Sequence, residues 1–417
     1  MRVIDRGVLS DWQNQRERQV PYQEVYDSVR QIVDDVRLRQ DAAVMDCMRR
    51  YDGVMIDNSD IEVSRAEMCS AQNVLPADVV SSIDYAATAV YKFHLMGVPS
   101  DEIRYIDGLR VTRRADPIKT AGVYAPRGSR GYPSSVIMAA CAARAAGVGE
   151  VVLCTPPGKQ GNISAEVMHA AFVSGVDRMF RIGGAAAIAA MAYGTQTVPK
   201  VDKIVGPGNE YVSQAKRLVY GAVGIDMIAG PSEVLVIADE CACAEWVAYD
   251  LAAQAEHGSN SWALLVTDSV DLLQRVQNAL CEDDPNLGEV VAVVVDSLEE
   301  AAELASSLAP EHLELFVRQP DVVVPRIRNC GAVFVGPYAC APLADYALGP
   351  NHVLPTGGSA RFSSGLSAAD FVRYTNIVEL SECAARDATH ASAVLAEIEG
   401  YTRHARAIRM RRGGEAE

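Results

Sequence analysis

The sequence predicts an α/β protein made of two tandem, incomplete Rossmann-like parallel-sheet domains, with small helical N- and C-terminal elements. From Ala121 onward, short aliphatic runs alternate with alanine-rich helical segments, which is typical of parallel strands joined by crossover helices. A second, similar run of alternating segments follows the first, without repetition of the residues themselves. These observations predict two nucleotide-fold-like units in one chain.

The region before these units is predicted to be helical. Apolar side chains recur there at helical spacing, at Tyr22, Tyr26, Val29, Val33 and Val36. We expect more helix to follow, up to about residue 94. No catalytic chemistry is apparent in this region.

The alternating segments predict the elements of both units. In the first run, we expect strands over residues 120–124, 151–154, 179–182, 203–205 and 234–237, and helices over 134–146, 164–174, 185–193 and 210–219. In the second run, we expect strands over 290–295, 313–317 and 332–335, and a helix over 298–308. The chain is predicted to close on one helix, with an apolar stripe formed by Val394, Ile398, Tyr401, Ala405 and Ile408.

Composition narrows the class of function. The 417 residues include 54 acidic and 38 basic side chains, for a formal net charge of −16. An acidic chain is a poor partner for nucleic acid, so a small polar substrate is the simpler expectation. The ten cysteines are dispersed except for Cys241 and Cys243, and no signal peptide or membrane-spanning run is apparent. We therefore expect a cytoplasmic protein with no membrane partner.

Gln254 and His257 lie near the end of a predicted helix that begins at about Ala244 and is stopped by Gly258. Their three-residue spacing places both side chains on one face of this helix, where they could bind one metal ion. Polar residues at an ordinary helix terminus are the alternative for this pair.

Glu311 and His312 follow Ala309 and Pro310 and precede a predicted strand. A histidine and a carboxylate are the usual pair for removing a hydroxyl proton and activating water. An exposed loop pair explains the two residues equally well.

Asp345 and His352 lie in a segment punctuated by proline and glycine, which is more often functional than a surface linker. His404 lies beside the apolar stripe of the last helix, where a core or interface histidine is the simpler interpretation. If these groups converge with Gln254, His257 and Glu399, the set suits zinc or another divalent transition metal in an enzyme.

Two glycine-containing turns lie at predicted strand ends. The first, Gly206 to Asn209, joins a predicted strand to a predicted helix. A glycine-containing turn at this position would let the backbone approach a dinucleotide closely. The turn lacks the Gly-x-Gly-x-x-Gly fingerprint, however. The Gly230–Pro231–Ser232 turn offers a hydroxyl group ahead of another strand, and a simple tight turn is an equally good explanation.

Segments spread over nearly the whole chain match the motifs of one known family. The first are Ala-Gly-Val-Tyr-Ala-Pro from Ala121, Tyr-Pro-Ser-Ser from Tyr132, Val-Asp-Lys-Ile-Val-Gly-Pro-Gly-Asn from Val201 and Ile-Asp-Met-Ile-Ala-Gly-Pro-Ser-Glu from Ile225. The later ones are Gln-Ala-Glu-His from Gln254, Ala-Pro-Glu-His from Ala309, Gly-Pro-Asn-His-Val-Leu-Pro-Thr-Gly-Gly from Gly349, and Glu399-Gly400 with His404. With these motifs in the family's order, the chain resembles the histidinol dehydrogenase family.

The resemblance implies an NAD-dependent, zinc-dependent enzyme of histidine biosynthesis that oxidises L-histidinol to L-histidine with two NAD, through L-histidinal. It implies one Zn²⁺ per subunit, a proton acceptor at His312 and a water-activating group at Glu311. The zinc ligands that it implies are Gln254, His257, Asp345 and His404. Substrate contacts would come from Ser232, Glu399, His312 and the zinc ligands, and cofactor contacts from Tyr124, position 186 and Asn209.

The resemblance also implies a homodimer in which the C-terminal helix reaches the partner's site, so that Glu399 and His404 act there. The expected domains are an N-terminal segment, 1–18, that packs with the C-terminal region, and a Rossmann-like domain over 19–123 and 234–366 that carries most site residues. An NAD-binding domain over 124–233, a linker or small domain over 367–390 and the exchanged helix over 391–417 complete the set.

Two positions depart from the family's pattern. Ala186 stands where the family usually has a glutamine that helps to hold the dinucleotide, so NAD binding is expected to be weaker or organised differently. Arg127 replaces a glycine near the expected cofactor cleft and could attract a phosphate or another anion.

Three other functions fit parts of the sequence. A dehydrogenase of the same fold could act on another small alcohol, such as a sulfonated diol that Arg127 would attract. A zinc hydrolase could use the histidines and carboxylates without a dinucleotide. A catalytically silent binding protein could keep the fold, although intact Glu311 and His312 weigh against it.

Overall fold

A computed structural model of the chain describes residues 1–9, 12, 22–128, 131–280 and 288–412. The predicted segments 1–18 and 391–417 therefore lie partly outside the described residues. The chain divides into two compact units, Met1–Val98 with Ile118–Phe371, and Pro99–Pro117 with Val372–Glu417. The domain boundaries expected from the sequence stay a prediction.

The strands of the described residues are given in chain order. They are β1 (Arg2–Val3), β2 (Glu62–Val63), β3 (Glu102–Ile106), β4 (Leu109–Pro117), β5 (Thr120–Tyr124), β6 (Glu150–Cys154), β7 (Arg178–Phe180), β8 (Lys203–Val205), β9 (Gly224–Ile225), β10 (Glu233–Ala238), β11 (Trp262–Thr267), β12 (Glu289–Val294), β13 (His312–Phe316), β14 (Ala332–Val335) and β15 (Val372–Leu380).

The α-helices connect and cover these strands. They are Tyr22–Arg39, Asp41–Cys47, Arg65–Ser70, Ala77–Met96, Pro133–Ala145, Ala165–Val173, Gly184–Tyr193, Glu210–Val219, Ala244–Ala255, Val270–Ala279, Leu298–Leu308, Pro320–Val323, Ala341–Ala344, Glu382–Ile398 and Thr402–Arg409. Within the described part of the chain, no helix is both long enough and apolar enough to span a membrane.

The first sheet of the larger unit has the strand order β2-β7-β6-β5-β8-β9. Its neighbouring strands are parallel, except that β2 is antiparallel to β7. The central strand β5 is buried along its whole length, which explains its uninterrupted run of small and apolar residues. The predicted alternation of strands and helices is confirmed here, including the amphipathic helix Tyr22–Arg39.

The second sheet is parallel throughout and has the order β1-β12-β11-β10-β13-β14. Successive residues of β10 alternate between the two faces of this sheet. Leu235 and Ile237 enter one apolar cluster, and Val234, Val236 and Ala238 enter another. The fold class of two parallel sheets is confirmed, although β11 and the helix after it, Val270–Ala279, were missing from the predicted elements.

The smaller unit contains an antiparallel sheet in the order β15-β4-β3, which was also not predicted. A two-residue turn at Asp107 and Gly108 joins β3 to β4, and both residues have positive φ, of 46° and 78°. The single closing helix predicted from the apolar stripe is wrong. Helix Glu382–Ile398 ends before Gly400, whose φ is +80°, and a second helix begins at Thr402.

The first sheet has a topological switch point between β5 and β8, because β6 and β7 continue on one side of β5 and β8 and β9 lie on the other. In open α/β sheets, ligands bind outside the carboxyl ends of the strands at this point. The backbone after β8 is fixed there by Lys216, whose ammonium group donates to the carbonyl oxygen of Gly206 at 2.5 Å and contacts Asp226 at 2.7 Å. Asp226 also accepts from the Gly206 N–H group at 2.8 Å.

Gly206→Ala is predicted to destabilise the fold more than Gly221→Ala. Both glycines have positive φ, +113° and +97°, but a methyl group at Gly206 would overlap the carbonyl oxygen of Tyr124, whereas Gly221 faces open space. We expect each variant to lose about 1–2 kcal/mol for the backbone conformation, and Gly206→Ala to lose about 1–3 kcal/mol more for the overlap. Chemical unfolding of both variants measures the difference, and equal losses would contradict this explanation.

Candidate active site

A cavity of about 620 Å³ opens in the larger unit, between the carboxyl ends of first-sheet strands and the amino ends of second-sheet strands. Tyr124 at the end of β5 and Asn209 after β8 contribute from the first sheet. Ser232 before β10 and His312 at the start of β13 contribute from the second. We call this space the main cavity, and its lining also includes His257, Glu311, Asp345 and His352.

The parallel pairing of β10 with β13 fixes the positions of the catalytic candidates Glu311 and His312. Its register aligns Val234 with His312, so the preceding residues, Glu233 and Glu311, are neighbours at the amino ends of the strands. The Glu233 N–H group donates to Glu311 Oε2 at 2.9 Å, and the Glu311 N–H group donates to Glu233 Oε2 at 3.3 Å. Each glutamate therefore restrains the backbone of the other.

The two ring nitrogens of His312 have different surroundings. Its Nδ1 lies 3.1 Å from the carbonyl oxygen of Glu233, which can only accept, so Nδ1 carries the proton. Its Nε2 has no hydrogen-bond partner among the described residues and lies 3.6 Å from Asp345 Oδ1. In the neutral ring, Nε2 is the basic nitrogen, and it is the atom available to take a proton from a ligand.

Burial excludes the exposed loop pair as an explanation for Glu311 and His312, which are 6% and 4% exposed. Burial, opposed by the charge of His312, raises the pKa of Glu311 to about 7. Burial alone would lower the pKa of His312, but the carboxylates of Glu311 and Asp345 raise it to about 9. Both groups can therefore exchange protons between neutral and alkaline pH, as general acid–base catalysis requires.

Glu233 is a site residue that the sequence candidates omitted. Besides its contacts with Glu311 and His312, its Oε1 accepts from the Gly357 N–H group at 2.9 Å, which ties β10 to the glycine- and proline-containing loop. Burial and the neighbouring Glu311 raise the pKa of Glu233 to about 8. A glutamate at the start of an otherwise apolar strand, Glu-Val-Leu-Val-Ile-Ala, was the available sequence signal.

His352 supports Asp345 rather than acting as an independent group. Its Nδ1 donates to the backbone carbonyl oxygen of Asp345 at 2.8 Å, and its Nε2 lies 3.5 Å from the Ser135 hydroxyl group. Burial lowers the pKa of His352, which keeps the ring neutral. The pKa of Asp345 is lowered, because its interactions with His312 outweigh burial, so its carboxylate is charged.

Three of the four expected metal ligands belong to the larger unit. His257 and Asp345 line the main cavity, and Gln254 lies one helical turn before His257. The Gln254 side chain is buried, and its Nε2 has no hydrogen-bond partner within the described residues. Rotation of this amide by 180° would exchange the two atoms and place Oε1 in the unpartnered position, where it could bind a metal ion.

This donor set fits zinc but does not complete a site by itself. Amide oxygen, imidazole and carboxylate are all suitable donors for a divalent transition metal. Across residues 22–128, 131–280 and 288–412, however, no three His, Cys, Asp or Glu side chains are grouped closely enough to hold a metal ion. The remaining candidates, Glu399 and His404, belong to the smaller unit, where both are exposed and the His404 ring lies 5.2 Å from that of Tyr401.

A second cavity, of about 450 Å³, adjoins the main one and shares Tyr124, Pro156 and Asn209 with it. We call it the side cavity. Ala186 lines it near the start of helix Gly184–Tyr193, and the Tyr124 hydroxyl group accepts from the Gly184 N–H group at 3.1 Å. Asn209 caps the helix Glu210–Val219 through its Oδ1, which leaves its amide N–H groups for a ligand. Arg127 lines the main cavity.

The chain is similar to known proteins over almost all of its length. The family model described as histidinol dehydrogenase matches residues 15–412. The chain belongs to the histidinol dehydrogenase family. It is 44% identical over 396 residues to the histidinol dehydrogenase of Rhizobium meliloti (strain 1021), across 92% of this chain and 91% of that protein. It is 45% identical over 394 residues to that of Parasynechococcus marenigrum (strain WH8102), across 91% of this chain and 89% of that protein.

A solved histidinol dehydrogenase has the same fold. The crystal structure of the enzyme from Elizabethkingia anophelis superposes on this chain with a TM-score of 0.92 at 33% sequence identity. The superposition covers 99% of this chain and 98% of the Elizabethkingia chain. Membership of the histidinol dehydrogenase family makes this chain an NAD-dependent oxidoreductase. A dehydrogenase for another small alcohol, the alternative left by the sequence, is not favoured.

The contribution of Glu233 to the stability of the metal-free protein is predicted to fall as pH rises. Glu233, with a folded pKa of about 8 against an ordinary value of 4.5, keeps its proton longer in the folded state than in the unfolded state. Its contribution is therefore fully present below about pH 4.5 and is lost as pH rises through about 8, a change on the order of a few kcal/mol.

Glu233→Gln removes this titration while keeping the size of the side chain, so its melting temperature should fall less between pH 5 and pH 9 than that of the unsubstituted protein. The exposed Glu240 provides the matched control, because Glu240→Gln should leave the pH dependence unchanged. Thermal unfolding at several pH values tests this, and parallel curves for all three proteins would contradict it.

Proposed function

We propose that the protein is a cytoplasmic, zinc-dependent histidinol dehydrogenase that oxidises L-histidinol to L-histidine with two NAD, through L-histidinal, in histidine biosynthesis. Family membership supports the reaction class. The observation that supports this chemistry is the buried Glu311–His312 pair. His312 lines the main cavity, and its Nε2 has no hydrogen-bond partner among the described residues.

The metal would be held by Gln254, His257 and Asp345 of one subunit and by His404 of its partner. The three residues of the larger unit support this set, through the unpartnered amide of Gln254 and the two cavity-lining donors. When bound, zinc would position the substrate by binding the substrate's imidazole and amine groups, and it would polarise the substrate's hydroxyl group. The charge on zinc would also offset that of Asp345 and lower the pKa of His312 toward neutrality.

His312 would act first, in the oxidation of the alcohol. Its Nε2 would take the hydroxyl proton as hydride leaves the substrate carbon for NAD. The Nδ1 hydrogen bond to the carbonyl oxygen of Glu233 stabilises the charged ring that results. Ser232 would bind the substrate from its position in the cavity lining.

Glu311 would act second, in the oxidation of the aldehyde. An aldehyde cannot release hydride to become an acid until water has added to its carbonyl group. With its pKa raised by burial to about 7, the Glu311 carboxylate can take a proton from that water near neutral pH. The protonated His312 would return its proton to the carbonyl oxygen as water adds, so its Nε2 could then accept a hydroxyl proton of the hydrated aldehyde in the second oxidation.

The two adjoining cavities suit the two halves of a dinucleotide. Tyr124 and Asn209 lie on their shared wall, at the switch point of the first sheet, and Ala186 lies in the side cavity. NAD would accept hydride in each oxidation. The reacting end would face His312 in the main cavity, and the rest of the cofactor would extend into the side cavity.

A homodimer would complete each site. Glu399 would face the substrate amine, and His404 would be the fourth zinc ligand, both supplied from the C-terminal region of the partner. Both side chains are exposed within the smaller unit, which supports a role in contacts with another subunit. The ligand is a small molecule, and neither nucleic acid nor membrane is proposed as a partner.

The unsubstituted protein should form two NADH per L-histidinol when zinc-loaded protein receives limiting substrate and excess NAD at alkaline pH. Absorbance at 340 nm counts the product. One NADH per substrate would mean that the aldehyde is not oxidised, and none would overturn the proposed substrate.

Glu311→Gln should separate the two oxidations. It keeps the shape and removes the base, so NADH per histidinol should fall toward one, and oxidation of added L-histidinal should fall by about 10²–10⁴-fold. Glu240→Gln, an exposed change of the same kind, should leave two NADH per substrate. Equal loss of both oxidations in Glu311→Gln would contradict the assignment of Glu311 to the second step.

Ala186→Gln should lower the KM for NAD, because an amide in the side cavity would offer hydrogen bonds that alanine lacks. One such bond corresponds to roughly a two- to tenfold change. The KM for L-histidinol provides the internal control and should not change. An unchanged or higher KM for NAD would show that this chain holds the dinucleotide without a side chain at position 186.

A further inference from the structure

The helical N-terminal region, where the sequence shows no catalytic chemistry, forms much of the wall of the side cavity. Its contributions to the lining are Ser28, Ile32, Cys47, Met48, Tyr51 and Asp52. The last of these ends the π-helical turn Met48–Asp52, and Gly53 follows it with a φ of +68°. Turns of this kind are frequent at functional sites. This region therefore borders the space proposed for part of the dinucleotide.

Asp52 is the one residue with a formal charge among the described residues that line the side cavity. Its side chain is half-buried, and its carboxylate makes no hydrogen bond and no ion pair within the described part of the chain. Burial raises the pKa of Asp52, and the charge of Arg127 opposes this increase. The side cavity therefore contains a carboxylate whose oxygens can accept hydrogen bonds from a ligand.

The hydroxyl groups of a ribose suit this carboxylate. In dinucleotide-binding folds, an acidic side chain of the sheet domain accepts a hydrogen bond from the 2′-hydroxyl group of the adenosine ribose. The strand that follows β5 in the chain is β6, and the loop after it, residues 155–158, reads Thr-Pro-Pro-Gly and has no acidic residue. Asp52 supplies, from a distant part of the sequence, the carboxylate that this loop lacks.

Two tyrosines indicate where the adenine ring would lie. Tyr51 and Tyr211 both line the side cavity, and they are 55% and 40% exposed. Exposed aromatic rings offer faces on which a base can stack. With the reacting end of NAD at His312 in the main cavity, the adenosine half would extend into the side cavity, beside Asp52.

The side cavity is unfavourable for a phosphate group on the same ribose. The negative charge of a 2′-phosphate would meet that of Asp52, and the described lining offers no arginine or lysine to offset it. Arg127 lines the main cavity rather than the side cavity. A methyl group added at Gly158 would lie 3.7 Å from Arg127 Nη2, so the guanidinium group lies beside the loop after β6.

We propose that Asp52 binds the 2′-hydroxyl group of the adenosine ribose and thereby selects NAD against NADP. This inference rests on the proposed function, because it uses the placement of the dinucleotide across the two cavities. Asp52 binds the cofactor and takes no part in proton transfer. The selectivity therefore comes from the N-terminal helical region, outside both parallel sheets.

Binding of NADH and NADPH to the zinc-loaded, full-length protein tests this role without turnover, because the fluorescence of the reduced nicotinamide ring reports binding. The unsubstituted protein should bind NADPH more weakly than NADH, by about tenfold or more, because like charges repel. Asp52→Ala should weaken NADH binding by about 10- to 100-fold through loss of a hydrogen bond to a charged group. Asp52→Asn should lose less, because its amide oxygen can still accept, and neither variant should bind NADPH more weakly than the unsubstituted protein does.

The 2′-deoxy analogue of NADH separates a contact with this hydroxyl group from a general disturbance of the cavity. The unsubstituted protein should bind the analogue about tenfold or more weakly than NADH, whereas Asp52→Ala should bind both with equal affinity. Asp57→Asn is the matched control, because Asp57 is an exposed aspartate of the same segment that lines neither cavity. It should change none of these affinities.

Three results would overturn the inference. The first is equal affinity of the unsubstituted protein for NADH and NADPH, and the second is unchanged NADH affinity in Asp52→Ala. The third is an equal loss of NADH and of its 2′-deoxy analogue in Asp52→Ala, which would mean that Asp52 does not contact this hydroxyl group. An unsubstituted protein that binds neither NADH nor NADPH is distinguishable from these results, because it would overturn the proposed placement of the cofactor itself.

Discussion

The parallel pairing of β10 with β13 is the constraint on which the site depends. Glu233 and Glu311 are 78 residues apart in the chain, and the register of these strands lets the backbone N–H group of each donate to the side-chain carboxylate of the other. The same pairing places the carbonyl oxygen of Glu233 against His312 Nδ1, which fixes the tautomer of the ring. The apolar faces of β10 pack into clusters on both sides of the sheet, so the core holds this register rigidly.

Burial shifts the pKa values of the carboxyl groups near this strand pair, and these shifts determine what the site can do chemically. Glu233, Glu311 and Glu314 are all raised in pKa by desolvation, whereas Asp345 stays charged because His312 stabilises its carboxylate. Similar groups in one small region therefore have different protonation states at neutral pH. In the proposed function, this separation would let one site accept protons in two successive oxidations and also offer a charged ligand to a metal.

The sequence predicted the fold class well because alternating strands and helices leave a periodic pattern. The predicted elements were incomplete or wrong where this pattern is ambiguous. The apolar run Trp262–Thr267 could equally be part of a buried helix, and the apolar stripe of the last region continues across Gly400, where the helix ends. The Asp107–Gly108 turn was a usable hairpin signal. Individual site residues were predicted from family motifs, whereas Glu233 acquires its contacts with Glu311 and His312 only from long-range packing.

A crystal structure of the zinc-loaded protein with L-histidinol, with the metal located by anomalous scattering at the zinc edge, would test the proposed site most directly. We expect one zinc ion in the main cavity, bound by Gln254, His257 and Asp345 together with His404 of the partner subunit. We also expect the substrate hydroxyl group within hydrogen-bond distance of His312 Nε2. Zinc at another location, or a substrate hydroxyl group out of reach of His312, would overturn the proposed site.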